Sequence, residues 1–280
     1  MSTAAAAPSR GMRRVASQGQ SAFVLNRYDW SETSLILDLF TRESGRVAVA
    51  AKGAKRPYSQ LRSVLMPFQR IVVQFAHARG EAAPDVRNLR SAEWAGQGVS
   101  LEAAEWFAGF YLNELLVRLL ARDDPHPRLF DVYALTLRAM SRSSPGRVEV
   151  ALRAFELMLL RETGVLPELD TATLTQRPVA PEKAYTLRSE HGLVESEPGS
   201  ATLPGSTCLA MESALRSLQL EGDVEALGQL HAAAAAAGAA LKQQLRQQLH
   251  YHLAGAPLRT RQVMIDAYRL LELDSPAAPR

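Results

Sequence analysis

The hydrophobic pattern is most regular in the first third of the chain. Leu35, Leu37 and Leu39 alternate with Ile36, Asp38 and Phe40, a period of two that predicts a strand. Thr41-Arg42-Glu43-Ser44-Gly45 has the length of a hairpin loop, and Gly45 is free to take a positive φ. Arg46 to Lys52 then reads as the partner strand. Further on, Ile71, Val73 and Phe75 share one face while Val72 and Gln74 share the other. Five strands are predicted, at about 21–28, 34–41, 46–52, 68–76 and 84–92, with a short turn or helix over Pro57 to Met66. That inventory is the one an OB-fold barrel needs.

After residue 95 the period lengthens. Ala104, Ala108, Tyr111, Leu115 and Leu119 recur at helical spacing. Ser100, before Leu101, is expected to be a simple N-cap of this helix and not part of a capping box, because Ala103 stands where the box wants Glu. Breaks at Asp123-Asp124-Pro125-His126-Pro127 and Ser143-Ser144-Pro145-Gly146 divide residues 98–164 into three helices. Gly164 fits the left-handed position that closes the third. Residues 165–208 are rich in proline and hold no helical period, which predicts an irregular segment with a small hairpin, Tyr185 to Leu187 against Leu193 to Glu195. Leu227, Leu230, Ala234, Leu241, Leu245 and Leu249 then mark one long amphipathic stripe. Gly255 and Pro257 end it, and a last helix is expected over Thr260 to Leu273. The fold class is therefore α+β: a tail at 1–19, a five-stranded OB-fold barrel at 20–94, and a mainly α-helical domain at 95–280 with the irregular insertion at about 165–208.

Charge adds a direction to this picture. Residues 1–94 hold 14 Lys/Arg against 7 Asp/Glu, and residues 95–280 hold 18 against 22, which together give the chain's +3. A basic barrel joined to a mildly acidic helical part suggests an anionic partner for the barrel. Lys52, Lys55 and Arg56 cluster in the loop Lys52-Gly53-Ala54-Lys55-Arg56-Pro57, with Arg27, Arg42 and Arg46 in the preceding strands and hairpin and Arg62 beyond. Cations track phosphates, and exposed aromatics such as Tyr28, Trp30 and Tyr58 stack bases. The competing readings are solvated loop charges, and aromatics packed into the barrel lip.

Other chemistry finds little footing. The chain has no Walker A sequence, no complete GxGxxG, no HExxH and no GxSxG, so neither catalysis nor a nucleotide cofactor is expected. Its single cysteine, Cys208, excludes an internal disulfide and with His191 falls short of a tetrahedral zinc site, so no metal is expected. No apolar run reaches the ~18 residues of a membrane span.

The words Tyr28-Asp29-Trp30-Ser31-Glu32-Thr33-Ser34, Leu37-Asp38-Leu39-Phe40-Thr41, Gly45-Arg46-Val47 and Ala51-Lys52-Gly53-Ala54 resemble the N-terminal domain of the RecO family. The resemblance continues through Pro67-Phe68, Leu89-Arg90-Ser91-Ala92-Glu93, Tyr111-Leu112-Asn113-Glu114-Leu115-Leu116 and Arg153-Ala154-Phe155-Glu156-Leu157. It implies a bacterial recombination mediator of the RecF pathway, cytoplasmic and nucleoid-associated. Such a protein binds single- and double-stranded DNA, anneals complementary strands, contacts SSB and loads recombinase with RecR. It implies a DNA surface on the barrel, for which the candidates are Arg27, Arg42, Arg46, Lys52, Lys55, Arg56 and Arg62. It also implies capture of the acidic, Phe-ending C-terminal tail of SSB by the helical domain, with Arg153 for the carboxylate and Leu157 beside an apolar pocket. Many RecO relatives carry four zinc-binding cysteines in the 165–208 region, and this chain departs from that pattern. Two other functions stay open at this point: a nucleic-acid-modifying enzyme with its site in 165–208, and a structural adaptor whose barrel binds protein alone.

Overall fold

A computed structural model describes residues 19–76, 85–96, 98–141, 145–199, 201–220, 224–260 and 262–263. The expected tail and most of the expected last helix lie outside the described residues.

Five strands form a closed barrel in the order β1-β2-β3-β5-β4. They are β1 (Gln20–Asp29), β2 (Leu35–Thr41), β3 (Gly45–Ala51), β4 (Ile71–Phe75) and β5 (Val86–Trp94). A one-turn helix, α1 (Leu61–Val64), lies between β3 and β4. The arrangement is the OB fold that the sequence predicts, closed by a parallel pairing of β3 with β5 that no local pattern shows. Thr41 pairs with Gly45 across the hairpin, and Gly45 takes a φ of +68°.

Over Ala22 to Leu25 of β1, both faces of the β1–β2 ladder are apolar. Ala22, Val24, Leu37 and Leu39 fill the barrel with Val47, Val49, Ile71 and Val73. Phe23, Leu25 and Phe40 point outward and belong to the core of the helical part. Phe23 meets Phe130 at 5.1 Å and Tyr133 at 5.0 Å between ring centroids, so the barrel is packed onto the helices by aromatic contacts. Each such buried ring contributes about 1.5–3 kcal/mol relative to exposure.

The helical part begins with α2 (Ala103–Leu119), α3 (Pro127–Met140) and α4 (Pro145–Glu162). The start of α2 differs from expectation: the N-cap is Glu102, whose backbone N–H donates to the Glu105 carboxylate at 2.7 Å. An acid in the first turn suits the helix N-terminus, and it displaces Ser100 from the role. At the end of α4, Gly164 has a φ of +73°, and the Gly164 and Val165 N–H groups donate to Arg161 and Leu160, closing the helix as expected.

The 165–208 segment holds more regular structure than a single hairpin. β8 (Ala184–Arg188) and β9 (Gly192–Ser196) pair with Leu187 opposite Leu193, and a short β10 (Leu203–Pro204) joins them. A separate pair is formed by β6 (Thr171–Ala172) and β7 (Arg177–Pro178). Leu169, Tyr185, Leu187 and Leu203 of this 165–208 segment are buried in the same core as the helices. Two-residue strands and a proline in β10 leave no period to read, which is why the sequence shows only the hairpin.

α5 (Gly205–Leu220) and α6 (Val224–His252) complete the core. The stripe from Leu227 to Leu249 is buried as expected, but α6 is interrupted at Gly238, whose φ of +52° and ψ of −132° are not helical. Glycine alone takes that conformation without strain.

Candidate nucleic-acid interface

The loop after β3 turns at Gly53, which has a φ of +72°. It folds back toward the β1–β2 loop, with the Lys55 N–H donating to the Thr33 carbonyl at 3.0 Å. A cleft of about 340 Å³ opens between the two loops, lined by Trp30, Ser31, Thr33, Lys52 and Arg56 among others. Trp30 is 57% exposed and Tyr58, on the loop beyond, is 99% exposed. Neither aromatic is a core residue, which decides that alternative in favour of an accessible surface.

The cations do not all share one state. Lys52 and Arg56 are exposed, with no ion pair among the described residues. Lys55 is tied down: its Nζ lies 3.0 Å from the Asp29 carboxylate and donates to the Ser31 carbonyl. It braces the cleft rather than offering a free charge.

Arg27 and Arg62 lie to the side of α1. Arg27 Nη1 donates to the Leu65 carbonyl at 3.3 Å and lies against the Met66 sulfur, and Arg62 is exposed on α1.

Arg42 and Arg46 are elsewhere. Arg42 makes a two-pronged pair with Asp131 of α3, Nε to Oδ1 at 3.0 Å and Nη2 to Oδ2 at 2.9 Å. Arg46 is 14% exposed, donates through Nε to the Leu120 carbonyl, and reaches Asp38 at 3.6 Å. Both join the barrel to the helices, as does Arg87 of β5 through Asp123. Arg42 and Arg46 thus each have a partner in the helical part, and the Arg42 side chain keeps 43% of its surface exposed. Those partners lie 89 and 74 residues along the chain, out of reach of any local pattern.

The expected tail-binding residues are also enclosed. Arg153 is 12% exposed and pairs with Glu156 at 2.6 Å, and Glu156 is fully buried. Tyr111 donates its hydroxyl to the same carboxylate. Burial pushes the Glu156 carboxyl above the usual carboxylate range, while the Arg153 charge pulls it back. Leu157 is 1% exposed and packs into the core. Arg153 and Glu156 stand one helical turn apart, at i,i+3 spacing.

Cys208 is fully buried, and desolvation pushes its thiol up to about 12, so it is inert. Among the described residues, no three His, Cys, Asp or Glu side chains come together to hold a metal, and no helix is long and apolar enough to cross a membrane.

One exposed cation on the barrel's outer face has no local signature. Arg122, in the loop between α2 and α3, lies beside Arg46 and reaches Asp38 at 3.9 Å, with its side chain 51% exposed. Its position over the barrel follows only from the docking of that loop.

Comparison with known proteins agrees with this architecture. Residues 12–95 match the family model "Recombination protein O N terminal" and residues 103–262 match "Recombination protein O C terminal". A DNA repair protein RecO of Polaromonas naphthalenivorans is 47% identical over 252 residues, covering 90% of this chain and 97% of the relative. The DNA repair protein RecO of Delftia acidovorans is 45% identical over 253 residues, covering 90% and 96%.

Proposed function

Because the chain belongs to the recombination protein O family, we propose that it is a DNA repair and recombination mediator that works by binding, not catalysis. In this reading the barrel holds single-stranded DNA at the cleft between the β1–β2 and β3–α1 loops. Lys52 and Arg56 meet phosphates, and Trp30 and Tyr58 stack bases. The observation that carries it is the exposure of two aromatics beside two uncommitted cations in a basic barrel. Phosphate contacts and base stacking carry no sequence information, so binding in this reading is sequence-independent. Duplex DNA shares the phosphate contacts but not the stacking. A protein that neutralises two strands in this way also lowers the barrier to their annealing, and the same role includes contact with SSB and RecR.

The test is a titration of labelled single-stranded and duplex DNA with the parent and with Trp30→Ala/Tyr58→Ala. Base stacking is worth about 1–3 kcal/mol per base, so the variant loses roughly tenfold or more on single strands. Duplex affinity changes little. Equal loss on both substrates, or no loss on either, contradicts the assignment of the aromatics to stacking.

A further inference from the structure

Beyond the cleft, the outer face of the barrel carries an unusual acid. Asp38 on β2 is 4% exposed and its Oδ1 accepts no hydrogen bond. Three groups lean on it loosely. Tyr28 donates its hydroxyl to Oδ2 at 3.3 Å, Arg46 approaches Oδ1 at 3.6 Å, and Arg122 approaches it at 3.9 Å. Tyr28 and Arg122 are both about half exposed, 45% for the tyrosine and 51% for the arginine side chain.

The register places these groups in a line from the cleft. Tyr28 pairs with Ile36 and Asn26 with Asp38. Tyr28 comes two residues before Trp30, and its ring leans diagonally toward the next strand, as its hydroxyl contact with Asp38 requires. From Trp30 to the level of Asn26 is about 13 Å of strand, room for roughly two to four nucleotides. β3 contributes only the small, buried Ala48 and Ala50 to this stretch, so the path runs over the side chains that cover them. Arg122 rises at its far end, supplied by the helical part.

Resting on the cleft reading above, we infer that single-stranded DNA runs from the cleft across Tyr28 to Arg122, so that both parts of the chain hold one strand. Tyr28 stacks a base and Arg122 takes a phosphate. Asp38 lies beneath the path as a counter-charge that holds Arg122 and Tyr28 when no strand is bound. A phosphate arriving at Arg122 offers a closer partner than a carboxylate 3.9 Å away. Asp38 thus works against binding: it repels the incoming backbone and competes for the arginine.

Three variants test this in salt-dependent titrations with oligonucleotides of graded length, each melted alongside the parent. Arg122→Ala flattens the slope of log K against log salt by about 0.7, the loss of one phosphate. The loss appears for oligonucleotides long enough to pass the cleft and is absent for the shortest that bind. Tyr28→Leu weakens the same longer substrates with the slope unchanged. Asp38→Asn keeps the side-chain shape and tightens binding severalfold. Parent-like binding by Arg122→Ala at every length overturns the inference, and so does weaker binding by an Asp38→Asn variant that melts like the parent. If Asp38→Asn does not fold, Arg122→Ala still decides, since its side chain is half exposed. The cleft reading fails differently: Lys52→Ala/Arg56→Ala would then bind like the parent.

Discussion

At the level of single residues, the difference between a binding cation and a structural one is its partner. Lys52, Lys55 and Arg56 look alike in the sequence, yet Lys55 is tied to Asp29 while the other two are exposed. Arg42 and Arg46 belong to the same basic stretch but are held by Asp131 and Leu120. Sequence distance hides these pairings: local pattern places a charge near a loop, and only the fold brings its partner. Arg153 makes the same point with a larger energy. Glu156 is fully buried, and Arg153 supplies the charge beside it. Arg153→Ala leaves that carboxylate unpaired and should cost roughly 3–5 kcal/mol in a urea unfolding titration. A loss under about 1 kcal/mol would show that Glu156 is already neutral and the pair adds little.

At the level of elements, strands and helices with a sustained period were legible and their joints were not. The β2–β3 hairpin, the 184–196 hairpin and the three helices between 103 and 162 follow from alternation, spacing and breakers. The closing β3–β5 pairing, the Glu102 cap and the break at Gly238 do not, because each depends on a distant or single residue. Phe23 and Phe40 show the limit well. Their alternation marks a strand but cannot say that the outward face is also buried, here under α3. Gly45 carries a test of this junction. It has a φ of +68°, and a Cβ there would collide with the Asp124 carbonyl. Gly45→Ala should therefore destabilise by at least the ~1–3 kcal/mol of left-handed strain, read as a fall in the thermal midpoint. An unchanged midpoint would mean that the α2–α3 loop moves away from the hairpin at no cost.

At the level of the whole molecule, barrel and helices act as one packed body with a charged clasp at the α2–α3 loop. His126 sits in that clasp, 3.5 Å from Glu162 and 3.4 Å from Asp124. The Glu162 carboxylate, with Asp124 behind it, raises its pKa above the ordinary value of about 6.5. The folded state therefore binds the proton more tightly than the unfolded state. The added stability is fully present below about pH 6.5 and is lost as pH rises through the raised value. The parent's stability advantage over His126→Gln should shrink between pH 5.5 and 9, and a constant difference would remove His126 from the clasp. The salt dependence of DNA binding tests the barrel cleft most directly. Labelled single-stranded DNA is titrated with the parent, Lys55→Ala and Lys52→Ala/Arg56→Ala at several salt concentrations. Two lost phosphate contacts flatten the slope of log K against log salt by about 1.4. Affinity then falls alike for every sequence, and Lys55→Ala keeps a slope near the parent's. A double variant that melts like the parent and keeps its full slope would contradict the account and move the DNA surface away from this cleft.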